Sequence, residues 1–373
     1  MSTERIATAH SAGAQSQDPL VLRTVAEYRQ WQQQVRQPSS SSSKLPTIGF
    51  VPTMGALHEG HLSLVQASIA ESDYTVVSIF VNPAQFAPHE DLDAYPRTFD
   101  SDLAKLKSLA SHSTASSNRK VDVIFLPTVA EMYPNGFTQQ VEDQVGAFVE
   151  IRGLANEMEG KSRPGFFRGV ATVVTKLFHV IQPDYAYFGQ KDIQQSIILR
   201  RLLSDLLFAY PPSPAHLRVL PTGRDPKDGL ALSSRNAYLT PRARAVSPVL
   251  YRALREAESV FKTHASQGST SSADAAQRVV HQTLEAARNI VLEQSQKCAA
   301  EAVSSEDERV ILHLDYITLN DPASLVDLEK ELEAGRSVDL SRGAILSGAA
   351  LIRQGESGRV TRLIDNILLG FTL

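Results

Sequence analysis

A single cysteine, Cys298, in 373 residues excludes an intrachain disulfide framework and any multi-cysteine zinc or iron-sulfur centre, and it points to a reducing compartment. Long apolar runs are also missing. The longest, such as "IILRRLLSDLLFAY", are interrupted by arginine and aspartate within a few residues, so no segment is expected to span a bilayer. Nor is there an excess of one charge. The formal net charge of -4 offers no broad basic field for a nucleic-acid backbone, although a local cationic pocket would be invisible in that total. The N-terminus lacks the apolar core of a secretory signal, and Glu4 and Asp18 count against a transit peptide. A soluble, cytoplasmic protein without nucleic-acid or membrane partners is expected.

At 42% hydrophobic, the chain can bury a substantial core, and its length suits two domains. Residues 1–44 read as an N-terminal extension. It comprises a polar start, a helix over Leu20 to Trp31 ("LVLRTVAEYRQW") and a Ser-rich connector at Ser39 to Ser43. Similar Ser- or Ala/Ser-rich stretches at residues 111–119, 265–273 and 299–306 read as surface insertions. Over 45–222, apolar strands alternate with helical patterns. "GVATVVTKLFHVI", for example, sets Val170, Val173, Val174, Leu177, Phe178 and Ile181 on one helical face. This alternation predicts an α/β domain, a parallel sheet covered by helices on both faces, with ligands beyond the carboxyl ends of the strands. Residues 223–373 change pattern. Thr240 and Pro241 start a helix, longer helices follow, and short strands in "RVILHLDYITL" and "TRLIDNILL" suggest a smaller α+β domain.

The stretch "VPTMGALHEGHLSLV", Val51 to Val65, falls at the first strand-to-helix junction. Free backbone N–H groups and the positive dipole end make such a junction suited to anions, phosphate above all. Gly55 and Gly60 have the spacing of a P-loop, but His61 and Leu62 stand where that motif needs Lys and Ser/Thr. The stretch is not G-x-G-x-x-G either. His58 and His61 can project together from the first helical turn. Zinc is a rival ligand, yet "HEGH" is one residue short of H-E-x-x-H and no third ligand is evident; two plain surface imidazoles are the bland alternative.

Other strand ends carry polar groups. "FVNPAQF" places Asn82 and Gln85 just past the second strand, as donors and acceptors for a small polar substrate or as parts of a turn around Pro83. "FGQKDIQQ" ends a strand at Gly189 and starts a helix, with Asp192 as a cap, Lys191 as a mobile cation, and Gln194 and Gln195 either turned to the site or exposed. "LALSSRN" offers Ser233, Ser234 and Arg235, two hydroxyls and a guanidinium able to clamp phosphates.

Together, "PTMGALHEGHLSLV", "FVNPAQF", "DLDAYPRT", "SRPGFFRGVATVV", "FGQKDIQQ", "DGLALSSRN" and "RLIDN" resemble, in order and spacing, the pantothenate synthetase (pantoate:β-alanine ligase) family, from about Leu45 to Asn366. The resemblance implies a Rossmann-like nucleotidylyltransferase-type domain in which His58 to His61 and Leu232 to Arg235 stand for the HIGH-like and KMSKS-like signatures. It implies ATP-dependent ligation of pantoate and β-alanine to pantothenate through a pantoyl adenylate, releasing pyrophosphate and AMP. Carried over by position, the ATP-binding residues are Met54, Gly55, Ala56, Leu57, His58, Glu59, Gly60, His61, Gly189, Gln190, Lys191, Asp192, Gly223, Leu232, Ser233, Ser234 and Arg235. Among them, His58, His61, Lys191, Ser233, Ser234 and Arg235 are expected to carry the chemistry. Gln85, Gln195 and Asn82 are expected on the substrates. Mg2+ should accompany ATP, with no protein ligand assigned, and a homodimer is implied.

The family commonly reads R-P-G-H-F-R-G-V, and here Phe166 replaces that histidine. No site role is carried to position 166, and Arg163 and Arg168 are the neighbours able to compensate in charge.

Overall fold

The computed structural model describes residues 18–38, 44–86, 92–93, 95–109, 119–266, 273–355 and 358–373. The Ser-rich stretch at 39–43 and most of those at 111–119 and 265–273 lie outside the described residues. Two sheets organise the rest. The first has six strands, β1 (Leu20–Leu22), β2 (Ile48–Thr53), β3 (Tyr74–Ile79), β4 (Val121–Phe125), β5 (Tyr185–Gly189) and β6 (Leu217–Leu220), in the order β1-β4-β3-β2-β5-β6. Every pairing in it is parallel.

Helices α1 (Val25–Val35), α2 (Glu59–Glu71), α3 (Phe99–Ser108), α4 (Phe166–Ile181) and α5 (Ile193–Asp205) cover this sheet on both faces. Ile48, Phe50, Val76 and Phe125 join one core with α1, α4 and α5, while Val51, Val77 and Ile124 join another with α2 and α3. Successive strand residues point to opposite faces, so burial on both sides requires nearly continuous apolar strands. The six residues of α4 expected on one face are all buried.

The N-terminal expectation needs correction. Leu20 to Leu22 form a strand, not the first turn of a helix, and the helix begins at Val25 after a Thr24–Glu27 capping box. The helix packs on the body, as its apolar face allows. β1 is the sheet's edge strand beside β4, Tyr28 Oη and Gln32 Nε2 both donate to Ile181 O at 3.1 and 2.7 Å, and Arg36 pairs with Asp184 at 2.9 Å.

The second sheet is antiparallel, in the order β7 (Val310–Asn320), β8 (Ala344–Gln354), β9 (Thr361–Leu369). Its strands are longer than the short ones expected. Helices α6 (Val249–Ser266) and α7 (Ala273–Ala300) pack on it through a core that includes Leu254, Val280, Leu284, Leu312, Leu346 and Leu363. Thr240 caps the short helix Pro241–Val246 as expected, accepting from Ala243 N. No helix among the described residues is long and apolar enough to cross a membrane.

In the first sheet the chain runs outward from β2 through β3 to β4, then returns to the other side of β2 for β5 and β6. The reversal opens a crevice at the carboxyl ends of β2 and β5, the place where such sheets bind ligands.

Candidate active site

β2 ends at Thr53, and the chain turns sharply before α2. Gly55 has φ +85, and a Cβ there would lie 3.3 Å from both Asp102 Oδ2 and Ile79 Cγ2, so a side chain would be strained and tightly packed. Ala56 also takes a left-handed conformation, φ 51, which a side chain disfavours. The turn is held from below by Asp102 of α3. This fully buried carboxylate accepts from Ala56 N at 2.9 Å, Leu57 N at 2.8 Å and Thr98 Oγ1 at 3.1 Å. Lys105 Nζ donates to Leu57 O at 2.6 Å, and Ser234 Oγ donates to Ala56 O at 3.1 Å from the far side.

His58 is the N-cap of α2, its Nδ1 accepting from Gly60 N at 3.2 Å. A Cβ on Gly60 would sit 2.9 Å from His58 Cε1, and one on Gly223 would sit 3.0 Å from Gly60 Cα. Both glycines therefore serve close approach. His61 Nδ1 accepts from His58 N at 3.4 Å, and the two rings lie 4.1 Å apart. With each Nδ1 used as an acceptor, the proton of each neutral ring sits on Nε2. Burial lowers His58 to about 3, helped by His61 and by Lys191, and lowers His61 to about 4, helped by Lys191 and Lys105. At pH 7 the pair is neutral and offers two uncharged N–H donors.

A cavity of about 510 Å³ opens above this turn, at the crevice between β2 and β5. Of the residues singled out in the sequence, Met54, His58, Gly60, His61, Asn82, Gln85, Gly189, Lys191, Asp192, Gln195, Gly223, Leu232, Ser233, Ser234 and Arg235 line it. Gly55, Ala56 and Leu57 sit beneath it as the turn, Glu59 is exposed, and Gln190 faces Asn366. Lys191 is largely buried, 17% exposed, with the Asp192 carboxylate 3.7 Å away. Asp192 stands at the N-cap position of α5 as expected, after a 3-10 turn over Gln190–Asp192, but its side chain makes no capping hydrogen bond. Gln194, read as either turned to the site or exposed, also lines the cavity but is buried, its amide bonded to Leu154 O, Glu157 O and Glu159 N. Asn82 is 1% exposed, with both side-chain polar atoms bonded to protein.

Arg163 lines the cavity, stacked 4.0 Å over the Phe166 ring and donating to Gln85 O at 2.9 Å. Arg168 instead turns to Gln144 and to the Phe148 ring. Of the two arginines beside the substituted histidine position, only Arg163 faces the site.

Several lining residues had no role in the sequence reading. Asn366 of β9 donates through Nδ2 to Gln190 O and Lys191 O, both at 2.9 Å, bracing the turn that carries Lys191. Its neighbour Asp365, 4% exposed, takes a two-point grip from Arg224 at 2.6 and 2.9 Å. Glu159 accepts from Tyr316 Oη at 2.6 Å and from Arg362 Nη2 at 2.9 Å. The second sheet thus forms one wall of the cavity. The signal in sequence was the polar trio Arg362, Asp365 and Asn366 inside the apolar strand "TRLIDNILL".

A family model described as "Pantoate-beta-alanine ligase" matches residues 20–368. The chain belongs to this ligase family. A pantoate–β-alanine ligase of Saccharomyces cerevisiae is 41% identical over 350 residues, covering 94% of this chain and 99% of that protein. A pantothenate synthetase of Roseiflexus castenholzii is 39% identical, with the same coverage. Among solved structures, pantothenate synthetase from Thermus thermophilus matches with TM-score 0.66 and 36% identity over 93% of this chain and 98% of that one. A Francisella tularensis ligase complexed with β,γ-ATP and β-alanine matches with TM-score 0.58 and 28% identity, over 94% of this chain and 97% of that one. The protein is therefore an enzyme, a ligase of the kind that joins pantoate to β-alanine, built on a Rossmann-like sheet.

Proposed function

We propose that the cavity activates pantoate with ATP and then ligates it to β-alanine. A pantoate carboxylate oxygen attacks the α-phosphorus of ATP, and the bond to the β-phosphate oxygen breaks, giving pantoyl adenylate and pyrophosphate. The β-alanine amine then attacks the acyl carbon, loses a proton, and the acyl–oxygen bond to AMP breaks. A carboxylate is a poor acyl electrophile, so activation has to come first. No protein nucleophile is needed, which suits the buried position of Cys298.

The observation that carries this reading is the meeting of His58, His61, Lys191 and the Ser233–Arg235 segment around one cavity at the sheet's switch point. Negative charge grows on the departing pyrophosphate, and preset donors are worth most where charge develops. Lys191 supplies a cation, His58 and His61 supply Nε2–H groups, and Ser233, Ser234 and Arg235 close from the other side. ATP is assigned to Met54 through His61, Gly189 through Asp192, Gly223 and Leu232 through Arg235. Pantoate is assigned to Gln85 and Gln195, with Asn82 behind Gln85.

Among the described residues no group of three or more His, Cys, Asp or Glu could hold a metal ion. Mg2+ is expected to accompany the ATP phosphates, with no protein ligand assigned. Two domains meeting near Thr222, a homodimer and a cytoplasmic location complete the proposal.

A product assay tests it. Pyrophosphate release should require pantoate, and AMP release should require β-alanine in addition. Nucleotide turnover indifferent to pantoate would overturn the reading.

A further inference from the structure

Asn82 follows β3, and its side chain is fixed at both ends by groups of unambiguous polarity. Ala84 N, which can only donate, lies 3.3 Å from one terminal atom, so that atom is Oδ1. Gly169 O, which can only accept, lies 3.3 Å from the other, so that atom is Nδ2. The carbonyl of Gly169 comes so near because the α4 backbone presses on the turn; a Cβ on Gly169 would be 2.0 Å from Ala84 O.

Two further bonds follow from this assignment. Asn82 Nδ2 also donates to Gln85 at 3.0 Å, so the Gln85 atom that meets it is Oε1. Tyr133 Oη lies 2.7 Å from Asn82 Oδ1, so the phenol is the donor there. Tyr133 is itself held firmly. Lys176 Nζ sits 3.9 Å from its ring centroid while donating to Met132 O at 2.6 Å, and the Phe137 ring packs at 4.9 Å. Tyr133 is buried and does not line the cavity, whereas Gln85 does.

We infer that Tyr133 is a positioning residue that, acting through Asn82, locks the Gln85 amide with its NH2 group turned into the cavity. The chain Tyr133 O–H to Asn82 Oδ1, then Asn82 N–H to Gln85 Oε1, turns Oε1 back toward Asn82 and presents Nε2 to a substrate. A donor there suits the carboxylate and hydroxyl oxygens of pantoate. The flipped amide would set oxygen against oxygen. The inference rests on the assignment of pantoate to Gln85 made above.

Two measurements decide it. In a joint X-ray and neutron structure of the free protein, deuterons should be found on Tyr133 Oη toward Asn82, on Asn82 Nδ2 toward Gln85, and on the cavity side of Gln85. A Gln85 oxygen facing the cavity overturns the inference, whatever the substrate. In a double-mutant cycle on pyrophosphate release, Tyr133→Phe should raise the KM for pantoate about 5- to 10-fold, the worth of one hydrogen bond. The KM for ATP should stay within about twofold. In a Gln85→Ala background the same change should add nothing, because the effect runs through Gln85. Effects of Tyr133→Phe and Gln85→Ala that simply multiply, or an equal rise in the KM for ATP, overturn the positioning role. A wild-type enzyme without pantoate-dependent pyrophosphate release would sink the ligase reading instead, and the neutron map would still decide the orientation of Gln85.

Discussion

Replacing Asp102 by alanine tests how the nucleotide turn is held. The carboxylate is fully buried and accepts from Ala56 N, Leu57 N and Thr98 Oγ1 at 2.9, 2.8 and 3.1 Å. Truncation orphans two backbone amides. Leaving a buried donor unsatisfied costs about 1 to 3 kcal/mol. The Leu57 bond is buried and the Ala56 bond partly so, which puts the combined loss near 3 kcal/mol after allowing water to reach the second amide. That is a large share of a stability of about 5 to 15 kcal/mol. Part of the loss is recovered if the turn relaxes, since Ala56 at φ 51 stores about 1 to 2 kcal/mol, but relaxation dismantles the surface beneath the cavity. The expectation is a drop of about 3 kcal/mol in urea unfolding with an unchanged m-value, and a loss of ATP affinity greater than about tenfold. Asp102→Asn keeps one acceptor and opposes an N–H to the other amide, so it should fall between. A loss below about 1 kcal/mol in the alanine variant would refute this account of the turn.

The neutral histidine pair makes stability depend on pH. In the unfolded chain both rings protonate near their ordinary value of 6.5, while the folded site holds them to about 3 and 4. The unfolded state therefore binds more protons throughout that interval, and stability should fall as pH drops from 6.5 toward 4. Melting temperatures measured from pH 6.5 to 5 should decline less for His61→Asn than for wild type; parallel declines would count against the assignment. Lys191→Ala should slow adenylate formation roughly 10²- to 10³-fold, as for loss of one transition-state donor, and single-turnover rates within a few-fold of wild type would rule that role out. Asn366→Ala removes the two bonds to Gln190 O and Lys191 O. It should lower the same rate roughly tenfold while the KM for pantoate holds steady, and an unchanged rate would show that the brace is dispensable. Phe166→His keeps a ring beneath the Arg163 guanidinium, so substrate affinities should shift less than about threefold, within one hydrogen bond's worth; a larger change would mean the missing imidazole matters.

Local rules made much of the fold legible. Short apolar runs and a period-3.6 apolar pattern marked the parallel strands and the buried face of α4, and Thr240 before Pro241 marked a helix start that is capped as expected. Motifs at the strand ends pointed to the site because a parallel sheet presents its loops there. One local signal was overlooked. The Thr24–Glu27 capping box places the first helix after Leu20 to Leu22, but those three residues are too few to show a strand's period, and only pairing with β4 makes them one.

By itself the chain determined which segments alternate, which polar residues gather at strand ends, and that His58 and His61 share a helical turn, since each depends on residues within a few positions of one another. Tertiary structure decided the rest. Asp102 is 45 residues from Leu57, Tyr133 is 51 from Asn82, and Asn366 is 175 from Lys191. The neutrality of the histidines, the polarity of Gln85 and the support beneath Lys191 all arise from burial and from hydrogen bonds closed across such separations, which no local pattern encodes.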